Sequence, residues 1–160
     1  MADKILKDRT LARVLDIAEL QLDYTEHPAG SNKTKYGAWM GVDGQPWCLS
    51  FVQYVFHKAG FQLYKTASCT SLVNRYLAAS PRQIILKDFK PGDIVFFDFS
   101  GQKNKTEHVG IVKSVSPTGG TLTTIEGNTG TGDNTNGGMV MERHRRLCYV
   151  TCAIRPNYPE

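Results

Sequence analysis

Apolar positions along the chain follow two regimes. Between residues 10 and 79 they recur with the period of a helix, and from residue 93 onward with the period of a strand. In the first regime Leu11, Val14, Leu15, Ala18 and Leu22 predict an amphipathic helix within 10–25. Phe51, Val52, Val55, Phe56 and Ala59 form the buried stripe of a second helix, which begins around Cys48. Pro46 suits its first position, where a missing N–H costs nothing, and Gly60 suits a left-handed C-terminal cap. A third helix runs from about Thr70 to Ala79 and stops before Ser80-Pro81. Pro28 to Thr34 reads as loop, and Tyr36 to Gly41 as an aromatic, glycine-rich approach to the second helix.

In the second regime the turn Lys90-Pro91-Gly92 introduces a strand over Asp93–Phe99. His108–Val115 and Thr121–Glu126 are two more, joined by Ser116 to Gly120; Met139–Arg143 and Tyr149–Arg155 close the sheet. Gly127 to Gly138, rich in Gly, Asn and Thr, is expected to be a mobile loop. Helices first and consecutive strands later predict an α+β domain with an antiparallel sheet. A single domain over 1–155 is expected, with 156–160 as a tail or the start of a linker in a longer protein.

Composition narrows the function classes. With 160 residues, 41% of them hydrophobic and 21% charged, the chain suits one soluble globular domain. No run approaches the ~20 apolar residues of a membrane span. Met1 to Arg9 carries mixed charge without the apolar centre of a signal peptide, so cytoplasmic synthesis is expected unless the sequence begins after a leader. The net charge of +4 is mild. Its one cluster, Arg143-His144-Arg145-Arg146, reads as the solvated end of a strand rather than a nucleic-acid patch. The four cysteines are irregularly spaced. Cys148 and Cys152, on one strand, would stand roughly 13 Å apart, too far for a disulfide or a shared zinc. Cys69 precedes a helix and has no evident partner, so all four are expected as thiols.

The candidate chemistry centres on Cys48. At the start of a helix, free N–H groups and the helix dipole favour a thiolate, lowering a thiol pKa from its usual ~8.5. Taken alone, the residue could equally be a small buried hydrophobe. A nucleophilic thiol needs a base. His27, His57 and His144 read as surface residues, His57 on a polar helix side with Ser50 and Gln53, whereas His108 opens an apolar strand. If Val115 pairs with Thr121, then Val112 faces Thr124, Gly110 faces Glu126 and His108 faces Asn128. His108, Glu126 and Asn128 then project from one sheet face, with Glu126 within diagonal reach of the ring. A slip of one residue would break the set.

Pro46-Trp47-Cys48, Gly92-Asp93-Ile94-Val95-Phe96-Phe97, His108-Val109-Gly110-Ile111-Val112 and Glu126-Gly127-Asn128 resemble, in order, the motifs of the CHAP family. These are cysteine, histidine-dependent amidohydrolases and peptidases with a papain-like core, related to NlpC-type cell-wall peptidases. The likeness runs from about Asn32 to Arg155. It implies Cys48 as nucleophile, His108 as base, Glu126 as orienting acid and Asn128 as a second orienting group. It also makes Gln45 a candidate oxyanion donor and Tyr36 a candidate aid to the thiol, with loop packing an equal alternative for both. Trp39 and Trp47 are expected to line the substrate groove. Some phage members bind calcium before the cysteine, but here Asp43 is the one carboxylate where a ~6–8 oxygen shell needs several. No metal or other cofactor is therefore expected. The resemblance implies a peptidoglycan hydrolase, amidase or endopeptidase, acting as an endolysin on the cell wall after release. Its partner would be peptidoglycan rather than nucleic acid or membrane, and it is expected as a monomer, alone or joined to a wall-binding domain. The rivals are a cysteine amidase for another small peptide and a non-catalytic wall-binding or tail-assembly module.

Overall fold

The computed structural model describes residues 7–159; the charged start, Met1 to Leu6, and the final Glu160 lie outside the described residues. Four helices precede the main sheet strands: α1 (Leu11–Leu20), α2 (Lys35–Met40), α3 (Cys48–Lys58) and α4 (Cys69–Ala79). The strands are β1 (Ile84–Ile85), β2 (Ile94–Phe97), β3 (His108–Val115), β4 (Thr121–Thr129), β5 (Met139–Arg146) and β6 (Val150–Ile154). They form one antiparallel sheet in the order β1-β6-β2-β3-β4-β5. The α+β architecture expected from the sequence is the one observed.

Local chemistry sets the helix ends. Thr10, Thr34 and Ser68 cap α1, α2 and α4, each side-chain oxygen accepting an N–H from three residues ahead. At the end of α3, Gly60 takes φ +87° while its N–H donates to His57 O and the Phe61 N–H donates to Phe56 O. That pair of bonds is the Schellman cap. Pro46 does not open this helix as expected: Trp47 occupies the cap with φ −119° and ψ 18°, so the first helical residue is Cys48 itself. The loop expected before it contains the short α2, closed by Gly41 in the left-handed conformation.

The sheet has two covered faces. Ile94, Phe96, Val109, Ile111, Ile125 and Val140 pack with the helices in the main core. On the other face Val95, Phe97, Val112, Leu122 and Val150 form a second cluster beneath Phe89, Phe99 and Tyr149. β3 and β4 pair Val112 with Thr124 and Ile111 with Ile125, the register expected from the sequence; a bulge beyond Val112 shifts it by one toward the turn. His108, Gly110, Thr124 and Glu126 therefore belong to the face opposite the helices.

Candidate active site

Residues of the α3 start and the β3–β4 pair meet at one end of the sheet. Gly127 lets them meet: a Cβ there would stand 2.6 Å from Cβ of Phe51, so only hydrogen allows α3 to lie this close to β4. Cys48 is buried at the first position of α3, and the first intrahelical bond runs from Phe51 N to Trp47 O. The N–H groups of Cys48, Leu49 and Ser50 thus have no acceptor within the helix. The Cys48 thiol is held well below the usual thiol range, first by the neighbouring Cys69 thiol, then by His108 and the Leu49 N–H, against the opposing effect of burial. Cys69 has no evident neighbour along the chain; folding sets it, the first residue of α4, beside the Cys48 sulfur. Its own thiol is pushed up by that contact and by burial.

His108 and Glu126 are both fully buried, with Nε2 2.8 Å from Glu126 Oε1. An ionised carboxylate only accepts, so Nε2 carries a proton, and in the neutral ring Nδ1 keeps its lone pair. Nδ1 makes no formed hydrogen bond, yet the Cys48 thiol is close enough to act on the ring. Such bonds are commonly loose in the free state and tighten around substrate. Burial alone would lower the His108 pKa; the neighbouring Cys48 sulfur and the hydrogen-bonded Glu126 outweigh it and push it up to about 9. The ring packs 6.1 Å from Phe97 and 6.0 Å from Phe99, centroid to centroid.

Behind the acid stands a residue that sequence reasoning missed. Arg145, expected as part of a solvated strand end, is buried and grips Glu126 with two bonds: Nε donates to Oε2 at 2.9 Å and Nη2 to Oε1 at 2.6 Å. Thr124 Oγ1 donates to Oε2 at 2.5 Å. Burial alone would raise the Glu126 pKa, but Arg145 and then His108 bring it down to about 2. A signal was present in β5, where Met141, Arg143 and Arg145 alternate onto the face that carries Glu126.

The remaining candidates are placed elsewhere. Asn128 takes φ +54°, which breaks the alternation. Its Oδ1 accepts from Gly138 N and its Nδ2 donates to Asn136 Oδ1, so the amide braces the 129–138 loop instead of the imidazole. Tyr36 is buried, stacks on Trp47 and donates its hydroxyl to Gln21 Oε1 at 2.8 Å. Trp47 is also buried rather than lining a groove, its Nε1 donating to Glu26 Oε1 at 3.2 Å. Trp39 is half-buried against Tyr54 and His57, in a hollow with neither Cys48 nor His108 in its lining. Ser50 and Gln53 are buried too; Gln53 Nε2 donates to Tyr64 O and Thr66 O, so the polar helix side expected around His57 reduces to His57 itself. Gln45 is exposed three residues before the thiol. Among the described residues no three His, Cys, Asp or Glu side chains are grouped to hold a metal ion. The Asp43 carboxylate accepts from Thr34 N instead.

A family model described as the CHAP domain matches residues 40–128. No curated protein matches the sequence. The crystal structure of a wild type endolysin, LysIME-EF1, is similar with a TM-score of 0.60 at 17% identity, over 93% of this chain and 65% of that one. The crystal structure of Ly7917 gives 0.53 at 16%, over 92% and 62%. Ly7917 with the hydrolyzing product of MDP gives 0.51 at 15%, over 92% and 63%. The chain thus spans just under two thirds of each, and what it shares with them is a fold.

Proposed function

This chain belongs to the CHAP domain family, and from that footing we propose that it is a peptidoglycan hydrolase that cleaves amide bonds with Cys48. The observation that carries the reading is the buried line Glu126–His108–Cys48, with Nε2 committed to the acid and Nδ1 left for the sulfur. The thiolate attacks the carbonyl carbon and the oxygen takes up negative charge, where the N–H of Cys48 can donate to it. Gln45 is a candidate for a second donor. His108 gives its Nδ1 proton to the leaving amine as the C–N bond breaks, then takes one from water as that water hydrolyses the thioester. Glu126 holds the ring and its tautomer. Fold likeness to an endolysin, and to a protein crystallised with the hydrolyzing product of MDP, supports a peptidoglycan substrate.

A hollow of about 640 Å³ is lined by Thr70, the chain neighbour of Cys69, and by Thr106 and Glu107, which precede His108; Cys48 and His108 themselves are not in its lining. The bond cleaved lies in the stem peptide or at its link to the sugar. Mass analysis of fragments released from purified walls decides which: new N-termini within the peptide mark an endopeptidase, and intact stem peptides freed from the sugar mark an amidase. Wall clearing that persists in Cys48→Ala, or its absence from the intact chain, sinks the proposal.

A further inference from the structure

We propose that Arg145 is a positioning residue of this site: by clamping Glu126 as a carboxylate it dictates which nitrogen of His108 is basic. The inference rests on the thiol–imidazole reading above and concerns a residue that touches neither the sulfur nor the ring. Glu126 is fully buried, and a lone buried carboxylate is costly enough that it takes up a proton. A protonated Glu126 could donate to Nε2. The ring would then carry its own proton on Nδ1, facing Cys48, and could not accept the thiol proton.

The geometry around Arg145 is built against that outcome. Its two bonds to Glu126 engage both carboxylate oxygens, the planar fork that a lysine cannot reproduce. The third nitrogen, Nη1, donates to Asn134 Oδ1 at 2.9 Å, and Nη2 also reaches Thr129 Oγ1 at 3.3 Å. The guanidinium lies 4.9 Å from the Phe99 ring centroid and 5.6 Å from that of Phe97, the same two rings that flank His108. Those faces favour a flat cation and keep water from the carboxylate. The neighbouring cation, Arg143, is turned to the loop, with Nη1 on Gly130 O and Nη2 on Asn134 Oδ1. It is not bonded to the acid, so the clamp depends on Arg145. Lys113, the charged residue of β3, pairs with Glu19 and Glu142 on the helix side of the sheet.

The test reads Cys48 itself, so it does not depend on the substrate. In the full chain, the rate of iodoacetamide capture at Cys48 is followed by peptide mass spectrometry against pH, for wild type, R145M and R145K. Loss of the clamp lets Glu126 protonate and weakens the thiolate–imidazolium pair. The acid limb of R145M should therefore move up by about one pH unit or more, while R145K, keeping a charge, moves less. Wall hydrolysis by R145M should fall on the order of 10²-fold near neutral pH, toward the loss known for a misoriented imidazole. A folded R145M with the wild-type limb overturns the proposal. Should R145M not fold, nitrogen NMR of His108 in the wild type, taken above pH 9 where the ring is neutral, decides: a proton on Nε2 is required, and one on Nδ1 overturns the proposal. A limb that moves in a protein that never cleaves walls leaves the clamp standing and sinks the substrate reading instead.

Discussion

Gly110 and Glu126 lie so close across β3 and β4 that a Cβ on the glycine would stand 2.7 Å from the Glu126 Cγ. The space the acid occupies is the space a side chain on Gly110 would need. Gly110→Ala should therefore push the carboxylate off His108, reducing activity on the order of 10²-fold and costing about 1–3 kcal/mol as an overpacked site. Turnover and denaturant unfolding of the same preparation check both. Wild-type turnover from a stable variant would contradict the geometry.

The thiol and the imidazole should titrate as a pair. His108, pushed up to about 9, is protonated through neutral pH, and Cys48 is held low. kcat/KM should rise on the acid side as Cys48 ionises and fall near pH 9 as the imidazolium, the acid for the leaving amine, is lost. In Cys48→Ala the thiolate is gone, so the pKa of His108 should drop, as read by NMR titration.

Glu126 should make stability depend on acid pH. Its pKa of about 2 in the folded chain lies below the ordinary 4.5. The resulting stabilisation is present above 4.5 and is lost as pH falls toward 2, at most about 3 kcal/mol. Glu126→Gln should flatten that segment of a pH series of unfolding free energies and be less stable at neutral pH.

Cys69 is the largest single influence lowering the Cys48 pKa. Cys69→Ala should shift Cys48 alkylation to higher pH and slow it at pH 6. The fold should survive, with a loss of roughly 1 kcal/mol for a small cavity. An unchanged alkylation profile would refute the contact.

The two tryptophans should separate in their effects. Trp47→Phe removes the indole donor to buried Glu26, at about 1–3 kcal/mol for the orphaned acceptor. Trp39→Ala, remote from the thiol, should leave wall hydrolysis within about twofold, within the small range of changes away from a site.

Wherever a periodic apolar pattern met a single packing surface, the structure could be read in advance. The stripe of α3 and the full extent of β3 follow from such patterns, as does the pairing of Val112 with Thr124. What escaped depends on contacts between distant segments. Arg145 looked solvated because charge in a sequence carries no depth; its burial depends on Glu126, 19 positions away. Cys69 gained its neighbour from the meeting of two helix starts, which no spacing encodes. Trp47 and Tyr36 went to the core because Glu26 and Gln21 supply partners for their polar atoms. Asn128 left the expected face because its positive φ ends the alternation on which the register argument relied.

The contact between Phe51 and Gly127 sets a tolerance for the whole site. Where α3 crosses β4, the spacer is a backbone with no side chain on it, so the gap between sulfur and acid cannot be retuned by exchanging one core residue for another of different volume. Leucines and valines elsewhere in the interior can be exchanged for apolar residues of similar volume at small cost. Position 127 cannot, because even one methyl group there would wedge the helix from the sheet and part the two halves of the machinery.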